Sequence, residues 1–371
     1  MQSFIETLVR EEREKTEPQK QEKAHQFGIE SNDIDFELEE MLKKSRAKIL
    51  VIGIGGAGNN AITRLMEVGI EGAQTLAVNT DAQDLLYTIA DKKLLIGRNL
   101  THGLGAGNNP KIGEAAAQES IELIKKALDA DMVFITCGLG GGTGTGAAPI
   151  IAEIAHEKGA LTISICTLPF EVEGLKKKQN AGYGLERLAK ASDTIIILPN
   201  EKLLDIAPDL SLAEAFHIID EILIQGAKNL TEVITKPGFI NLDFADLRTT
   251  LRNSGEALIG IGQSNKAVDA AINALNNPLL DVDYRNAKKV LLNISSSNSL
   301  SLQETESVMR TVLQELNDEV EVKWGTVFDP ELKNNIRVTA IISGISANLE
   351  VATQGSEEII EKAISFDPEP F

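Results

Sequence analysis

The chain has 371 residues, 43% of them hydrophobic, enough for two domains of ordinary size that need no disulfide or metal staple. A formal net charge of −19 excludes unassisted binding to nucleic acid, because affinity for that backbone rests on clustered lysine and arginine. An anionic ligand must therefore be met by local positive potential from backbone N–H groups, helix N-termini or a metal ion.

Residues 1–46 are crowded with Glu, Lys, Gln and Arg, as in "REEREKTEPQKQEK", and read as a mobile or weakly helical extension. Ordered structure is expected from "AKILVIGIGG". Apolar, β-branched runs follow at 48–53, 75–80, 93–97, 132–138, 161–169 and 194–200. Most are separated by helical stretches such as "GEAAAQESIELIKKAL", in which Ile121, Ile124 and Leu128 share one face. Continuous apolar strands alternating with amphipathic helices predict a doubly wound α/β domain with a parallel sheet over 47–210. Residues 132–152 carry no charge and are long enough to cross a membrane, but six glycines and Pro149 make them a poor continuous helix. They read as a buried strand, a loop and a helix start with Pro149 near its first turn, and no direct membrane insertion is expected.

A long helix is predicted over 211–235, with Ala215, Phe216, Ile219, Ile222, Leu223 and Leu230 spaced for burial. The elements of 236–345 read as a smaller α/β domain with a mixed sheet, and 346–371 as a tail. Cys137 and Cys166 lie in apolar runs and read as small core residues. Two such thiols and no secretory signal fit a reducing cytoplasm. His25, His102, His156 and His217 are scattered without metal-ligand spacing, so no zinc site is expected.

Two glycine-rich turns follow strands. In "GIGGAGNN", Gly53, Gly55 and Gly58 have the G-x-G-x-x-G spacing that lets backbone approach a pyrophosphate, which a dinucleotide-binding dehydrogenase would share. The second turn, "GGGTGTG" at 140–146, packs five glycines and two threonines into seven positions. Its glycines leave N–H groups unshielded, and the hydroxyls of Thr143 and Thr145 can donate to phosphate oxygens. Two such loops at neighbouring strand ends can hold a triphosphate from both sides. Neither has the G-x-x-x-x-G-K-[ST] pattern, so amides, hydroxyls and a bound Mg²⁺ must meet the charge.

"GGGTGTG" resembles the signature of the tubulin superfamily in the form used by FtsZ, the prokaryotic cell-division GTPases, and the acidic extension and "TLPFEVEG" resemble archaeal members. "GIGGAGNN", "VNTDAQ" (78–83), "GLGAG" (103–107), "LPNEKL" (198–203) and "NLDFADLRT" (241–249) resemble FtsZ motifs in the same order, and the likeness runs over 48–345. The resemblance implies a tubulin/FtsZ-like α/β fold: a GTP-binding domain, a long central helix and a smaller activation domain. It places Gly55, Gly56, Ala57, Gly58, Asn59 and Asn60 on one side of the phosphates, with Gly140, Gly141, Gly142, Thr143, Gly144 and Thr145 on the other. Asn79, Asp81, Gly105, Ala106 and Gly107 would lie near the γ-phosphate and Mg²⁺. Phe216 would pack on the guanine and Asp220 accept its N1–H and 2-amino hydrogens, where sequence alone makes Phe216 a core residue and Asp220 a solvated one. Asn200 would lie near the nucleotide, and Glu173 and the residue four after it would meet the ribose and sugar edge. That residue is arginine in most relatives and Lys177 here, which keeps the charge without the planar fork, so Lys176 or Lys178 is an alternative.

The last motif, "NLDFAD", sets Asp243 and Asp246 three apart beside Asn241. By spacing alone Asp243 reads as an N-cap and Asp246 as a first-turn charge. The resemblance instead makes these three the catalytic residues for GTP hydrolysis to GDP, brought to the nucleotide of the next subunit in a head-to-tail homopolymer at the division site. A non-hydrolysing scaffold or cell-shape protein of the same superfamily is the alternative. Ile359, Ile360, Ala363, Ile364 and Phe366 of the tail offer a short apolar face for a membrane adaptor, or belong to an unstructured end.

Overall fold

Apolar runs with β-branched residues become the strands β1 (Ile49–Ile54), β2 (Ala73–Asn79), β3 (Lys92–Leu95), β4 (Met132–Gly138), β5 (Leu161–Leu168) and β6 (Thr194–Pro199). The computed structural model describes residues 47–345, except 208, 210, 237, 239, 241, 277–283, 298, 299 and 318. The expected extension (1–46), the tail with its apolar positions, and Asn241 all lie outside the described residues.

The strands pair in the order β3-β2-β1-β4-β5-β6, every neighbour parallel. This is the predicted doubly wound sheet. β1 is buried at every position, with Leu50, Ile52 and Ile54 facing one core and Ile49 and Val51 the other. The first core is covered by α4 (Pro110–Glu119), α5 (Ile121–Ala127), α6 (Thr143–Glu157) and α7 (Leu175–Ala191). The second lies under α1 (Gly55–Val68), α9 (Leu212–Thr235) and α10 (Phe244–Leu251). Short helices α2 (Ala82–Tyr87), α3 (Arg98–Thr101) and α8 (Lys202–Ile206) lie in the connections.

The sheet does not stop at β6. Thr194, Ile195 and Ile196 pair in parallel with Gly255, Glu256 and Ala257 of β7 (Gly255–Ser264), which adds β10 (Ile336–Ser343), β8 (Lys289–Ser296) and β9 (Glu321–Phe328). β10 is antiparallel to both β7 and β8, and β8 is parallel to β9, so this part of the sheet is mixed as expected. Helices α11 (Ala267–Leu275) and α12 (Leu302–Gln314) cover one of its faces.

Two expectations change. The stretch 113–128 is not one helix, because Ser120 ends α4 at φ −101°, ψ 16°. Ser120 Oγ accepts Gly97 N–H, while Glu119 accepts Asn99 N–H and Leu100 N–H, so both side chains bind the neighbouring turn. Pro149 is not in the first turn but inside α6, because Gly146 N–H already bonds Gly142 O and the helix begins at Thr143. The second half of the glycine run is thus the helix end itself. Cys137 and Cys166 are fully buried neighbours on β4 and β5, and burial pushes the Cys137 thiol up to about 12.

Helix α9 fixes where things can be. Ala215, Ile219, Leu223 and Leu230 are buried along it, as its pattern predicts. Phe216 near its start is 39% exposed, and Thr235 at its end packs on Gly72, just before β2 begins. The helix therefore runs from the C-terminal edge of the parallel strands to their N-terminal edge, a rise of about 36 Å for 24 residues.

Candidate active site

A cleft of about 670 Å³ opens at the C-terminal ends of β1, β2, β4, β5 and β6. The chain leaves β1 toward one side of the sheet and β4 toward the other, so this crevice is the topological switch point where open α/β sheets bind ligands. The N-termini of α1 and α6 meet at its floor: a Cβ on Gly55 (φ +72°) would stand 2.9 Å from Gly144 N. Their N-cap residues are Ile54 and Gly142, neither is capped by a side chain, and neither first turn holds an acidic residue. Both helices thus present unshielded first-turn N–H groups, the arrangement that attracts phosphate.

The loops around this floor are fastened from behind. Gly140 N–H donates to Thr145 Oγ1 at 2.9 Å, and the Thr143 and Thr80 hydroxyls share a bond of 2.6 Å. Asn180 of α7 is buried and donates through Nδ2 to Gly140 O at 3.0 Å and Asn108 O at 2.9 Å, tying two cleft loops together. The 103–107 turn docks on the turn after β2, with Gly105 N–H bonding Thr80 O at 3.2 Å.

Two carboxylates line the cleft beside this floor. Asp81 caps α2, accepting Gln83 N–H at 2.9 Å and Asp84 N–H at 3.1 Å. Asp84 accepts the side-chain amides of Asn79 and Asn59. Burial pushes its carboxyl above the usual value and nearby Asp81 adds to that, while the two amides oppose it.

At the other end Phe216 meets Phe170 edge to face, with ring centroids 5.6 Å apart. Asn200, on the cleft wall, has a buried Oδ1 with no hydrogen-bond partner among the described residues, an orphan that a ligand donor would satisfy. Glu173 accepts Phe170 N–H through Oε1 and pairs through Oε2 with Lys177 Nζ at 2.8 Å. Lys178 is engaged by Glu171 instead. Asp220 lies one turn beyond Phe216, and burial pushes its carboxyl up to about 6 against the opposing charge of His217.

Among the residues expected from the sequence, the cleft wall holds Gly55, Gly56, Ala57, Asn79, Asp81, Gly105, Ala106, Gly107, Gly141, Gly142, Thr143, Gly144, Glu173, Lys177, Asn200 and Phe216. The others stand off it. Gly58 packs against β4, where a Cβ would lie 2.5 Å from Thr136 O. Asn59 is buried behind Asp84, Asn60 is exposed on α1, and Gly140 and Thr145 bond each other. Asp220 is also set back from the wall. Sequence reasoning passed over Asp84, Asn180 and Thr80. Asp84 alone left a trace, as a carboxylate one turn after Asp81.

The second expected constellation is elsewhere. Asp243 caps α10, its Oδ1 accepting Asp246 N–H at 2.7 Å while Asp243 N–H donates to Asp246 Oδ2 at 3.4 Å. Lys323 Nζ stands 3.2 Å from Asp246 Oδ1. This pair follows the far end of α9 and does not reach the cleft of its own chain.

A switch-point cleft floored by two uncapped helix ends, without a P-loop lysine, is what a tubulin-type nucleotide domain requires. The tubulin/FtsZ family GTPase-domain model matches residues 48–208, and the FtsZ C-terminal-domain model matches 255–346. The chain is 51% identical to the cell division protein FtsZ of Methanothermobacter thermautotrophicus, over 92% of this chain and 91% of that one. It is 52% identical to cell division protein FtsZ 1 of Thermococcus kodakarensis, over 94% of each. The solved empty FtsZ dimer of M. jannaschii superposes with a TM-score of 0.80 at 53% identity, over 84% of this chain and 92% of that one. The chain belongs to the FtsZ family of cell-division GTPases, with its relatives here among archaea, and it binds guanine nucleotide.

Proposed function

We propose that the cleft holds GTP with its triphosphate on the N-termini of α1 and α6, and that Asp243 and Asp246 of an adjoining subunit, with Asn241, complete the hydrolytic site in a head-to-tail filament. The observation that carries this reading is the span of α9. With Phe216 in the cleft wall and Asp243 beyond the opposite end of a rod of about 36 Å, the two halves of the chemistry cannot meet within one chain. A surface that gives one half to a neighbour and receives the other generates an open filament.

Within the cleft, first-turn N–H groups of Gly56, Ala57, Thr143 and Gly144 donate to phosphate oxygens. Phe216 packs on the base, and Asp220 accepts the two hydrogens on the Watson–Crick edge that guanine has and adenine lacks. Glu173 accepts from the ribose, while Lys177, Asn200 and the turn at 105–107 close the walls. The incoming carboxylates orient the attacking water and take its proton, in a region where charge develops on the γ-phosphate.

Mg²⁺ fits the phosphate end. Asp81, Asp84 and Asn79 offer hard oxygen donors, and no cluster of three or more His, Cys, Asp or Glu among the described residues could hold a metal without help. An ion sharing one or two carboxylates with phosphates and water is the coordination Mg²⁺ prefers. When bound it neutralises charge on the β- and γ-phosphates.

The same reading puts the filament at the division site, with the tail recruiting a membrane adaptor. Loss of membrane recruitment on deleting 356–371 tests that role. Asp246→Ala tests the hydrolytic reading: GTP binding measured by calorimetry should be retained while phosphate release falls at least about 10²-fold. Equal loss of binding, or turnover that is independent of protein concentration, overturns the in-trans role.

A further inference from the structure

Strand β9 is built against the loop that carries the acidic pair. Thr326 N–H donates to Ile240 O at 2.8 Å, and Ile240 N–H donates to Thr326 Oγ1 at 3.1 Å. A Cβ on Gly325 would meet Ile240 O at 3.0 Å and Leu242 at 3.0 Å, so strand and loop are in close contact. Two residues before Gly325, Lys323 reaches Asp246. Both oxygens of that carboxylate are thereby held, Oδ1 by the ammonium and Oδ2 by Asp243 N–H.

We propose that Lys323 is a positioning residue for GTP hydrolysis: from β9 its ammonium fixes the Asp246 carboxylate that is offered to the next subunit's nucleotide and carries compensating positive charge with it. The proposal rests on the in-trans reading of Asp246 given above. A bare carboxylate approaching a triphosphate meets like charge, and a lysine 3.2 Å behind it offsets that repulsion. The ammonium is a compact charge on a flexible stem, so it can follow Asp246 into the junction. The pair is not needed to hold the fold. Its side chains are 37% and 30% exposed, and ion pairs in such settings add little to stability.

The pairing also has a titration signature. Burial raises the Asp246 carboxyl, but Lys323 and the Asp243 N–H outweigh it and hold the group below its usual range. Lys323 from β9 and Asp243 from its own helix are the charged groups facing it. Lys289 of β8 is taken up at the other end of α10 by Thr249 O, at 2.6 Å.

The test uses the full chain with Lys323→Met, Lys323→Arg and Asp246→Ala, reading GTP affinity, filament pelleting and kcat against pH. Lys323→Met should bind GTP and assemble as the parent does. Its kcat should fall about tenfold, with the acid limb of the pH profile displaced to higher pH. Lys323→Arg should restore most of the rate and return the limb. An unchanged kcat with an unmoved limb overturns the proposal. So does a rate loss that only tracks lost assembly, or an arginine variant as poor as the methionine one. Where circular dichroism shows Lys323→Met unfolded, Lys323→Gln takes its place with the same readouts. Turnover persisting in Asp246→Ala sinks the in-trans reading itself, whatever Lys323 does.

Discussion

The N-termini of α1 and α6 and the N-terminus of α10 solve one problem in opposite ways. Every helix opens with N–H groups that have no intrahelical partner. At α10 a reciprocal Asp243–Asp246 box supplies partners, and Ser211 and Ser301 do the same for α9 and α12. At α1 and α6 nothing in the side chains does so. The first arrangement stabilises a helix and displays two carboxylates, while the second leaves donors for an anion from outside. A filament built on the proposed reading sets the acidic end of one subunit over the donor end of the next, so each end lacks what the other supplies.

Moving the α10 solution to the cleft gives the sharpest test of that contrast. Gly56→Asp has room for its Cβ, since the nearest atom is Asp84 Oδ2 at 3.9 Å. It places an acid in the first turn of α1, and GTP dissociation constants measured by calorimetry should rise about 100-fold through lost donors and like-charge repulsion. Unchanged affinity would show that this helix end does not face the phosphates.

A smaller effect is expected at the base. Asp220→Asn should weaken GTP about tenfold and narrow the preference over ATP, because the amide cannot accept both guanine hydrogens. The carboxyl is raised from 3.8 to about 6, so burying its charged form costs stability as pH rises through that window. The nucleotide-free variant should gain about 1–2 kcal/mol at pH 7, discounted for partial solvation, and nothing at pH 3. Chemical denaturation at the two pH values reads this, and a stabilisation equal at both would discard the buried-charge account. GTP affinity of the parent should likewise fall as pH drops below about 6.

The smallest effect separates capping from chemistry at α10. Asp243→Asn keeps a good cap and should leave thermal stability within a few tenths of a kcal/mol, while Asp243→Ala should cost about 1 kcal/mol. Both should lose turnover. An asparagine variant as active as the parent would leave Asp243 as a cap alone.

The strands were legible because parallel, doubly covered strands are continuous apolar runs, and β4 matches its predicted bounds of 132–138. The helix break at Ser120 was not, because side chains of 119 and 120 bind a turn some twenty residues away in sequence, which periodicity cannot register. The cleft floor was visible as two glycine runs. Asn180 was not visible, since a polar residue within an amphipathic helix looks solvated until two loops fold onto it. Phe216 and Asp220 read in reverse by spacing, a core residue and a surface one; in the structure the ring borders the cleft and Asp220 is half-buried, with its carboxyl raised by that burial. Local rules gave way there to tertiary placement at a binding site.

The length of α9 has a consequence for polymer ends. On the head-to-tail reading, each interior subunit has its triphosphate covered by a neighbour, but the outermost subunit at one tip has none above it. That last nucleotide is spared cleavage until another protomer lands. Growth itself therefore starts the decay of each joint as that joint is made, and the two tips differ in lifetime from the moment a filament forms.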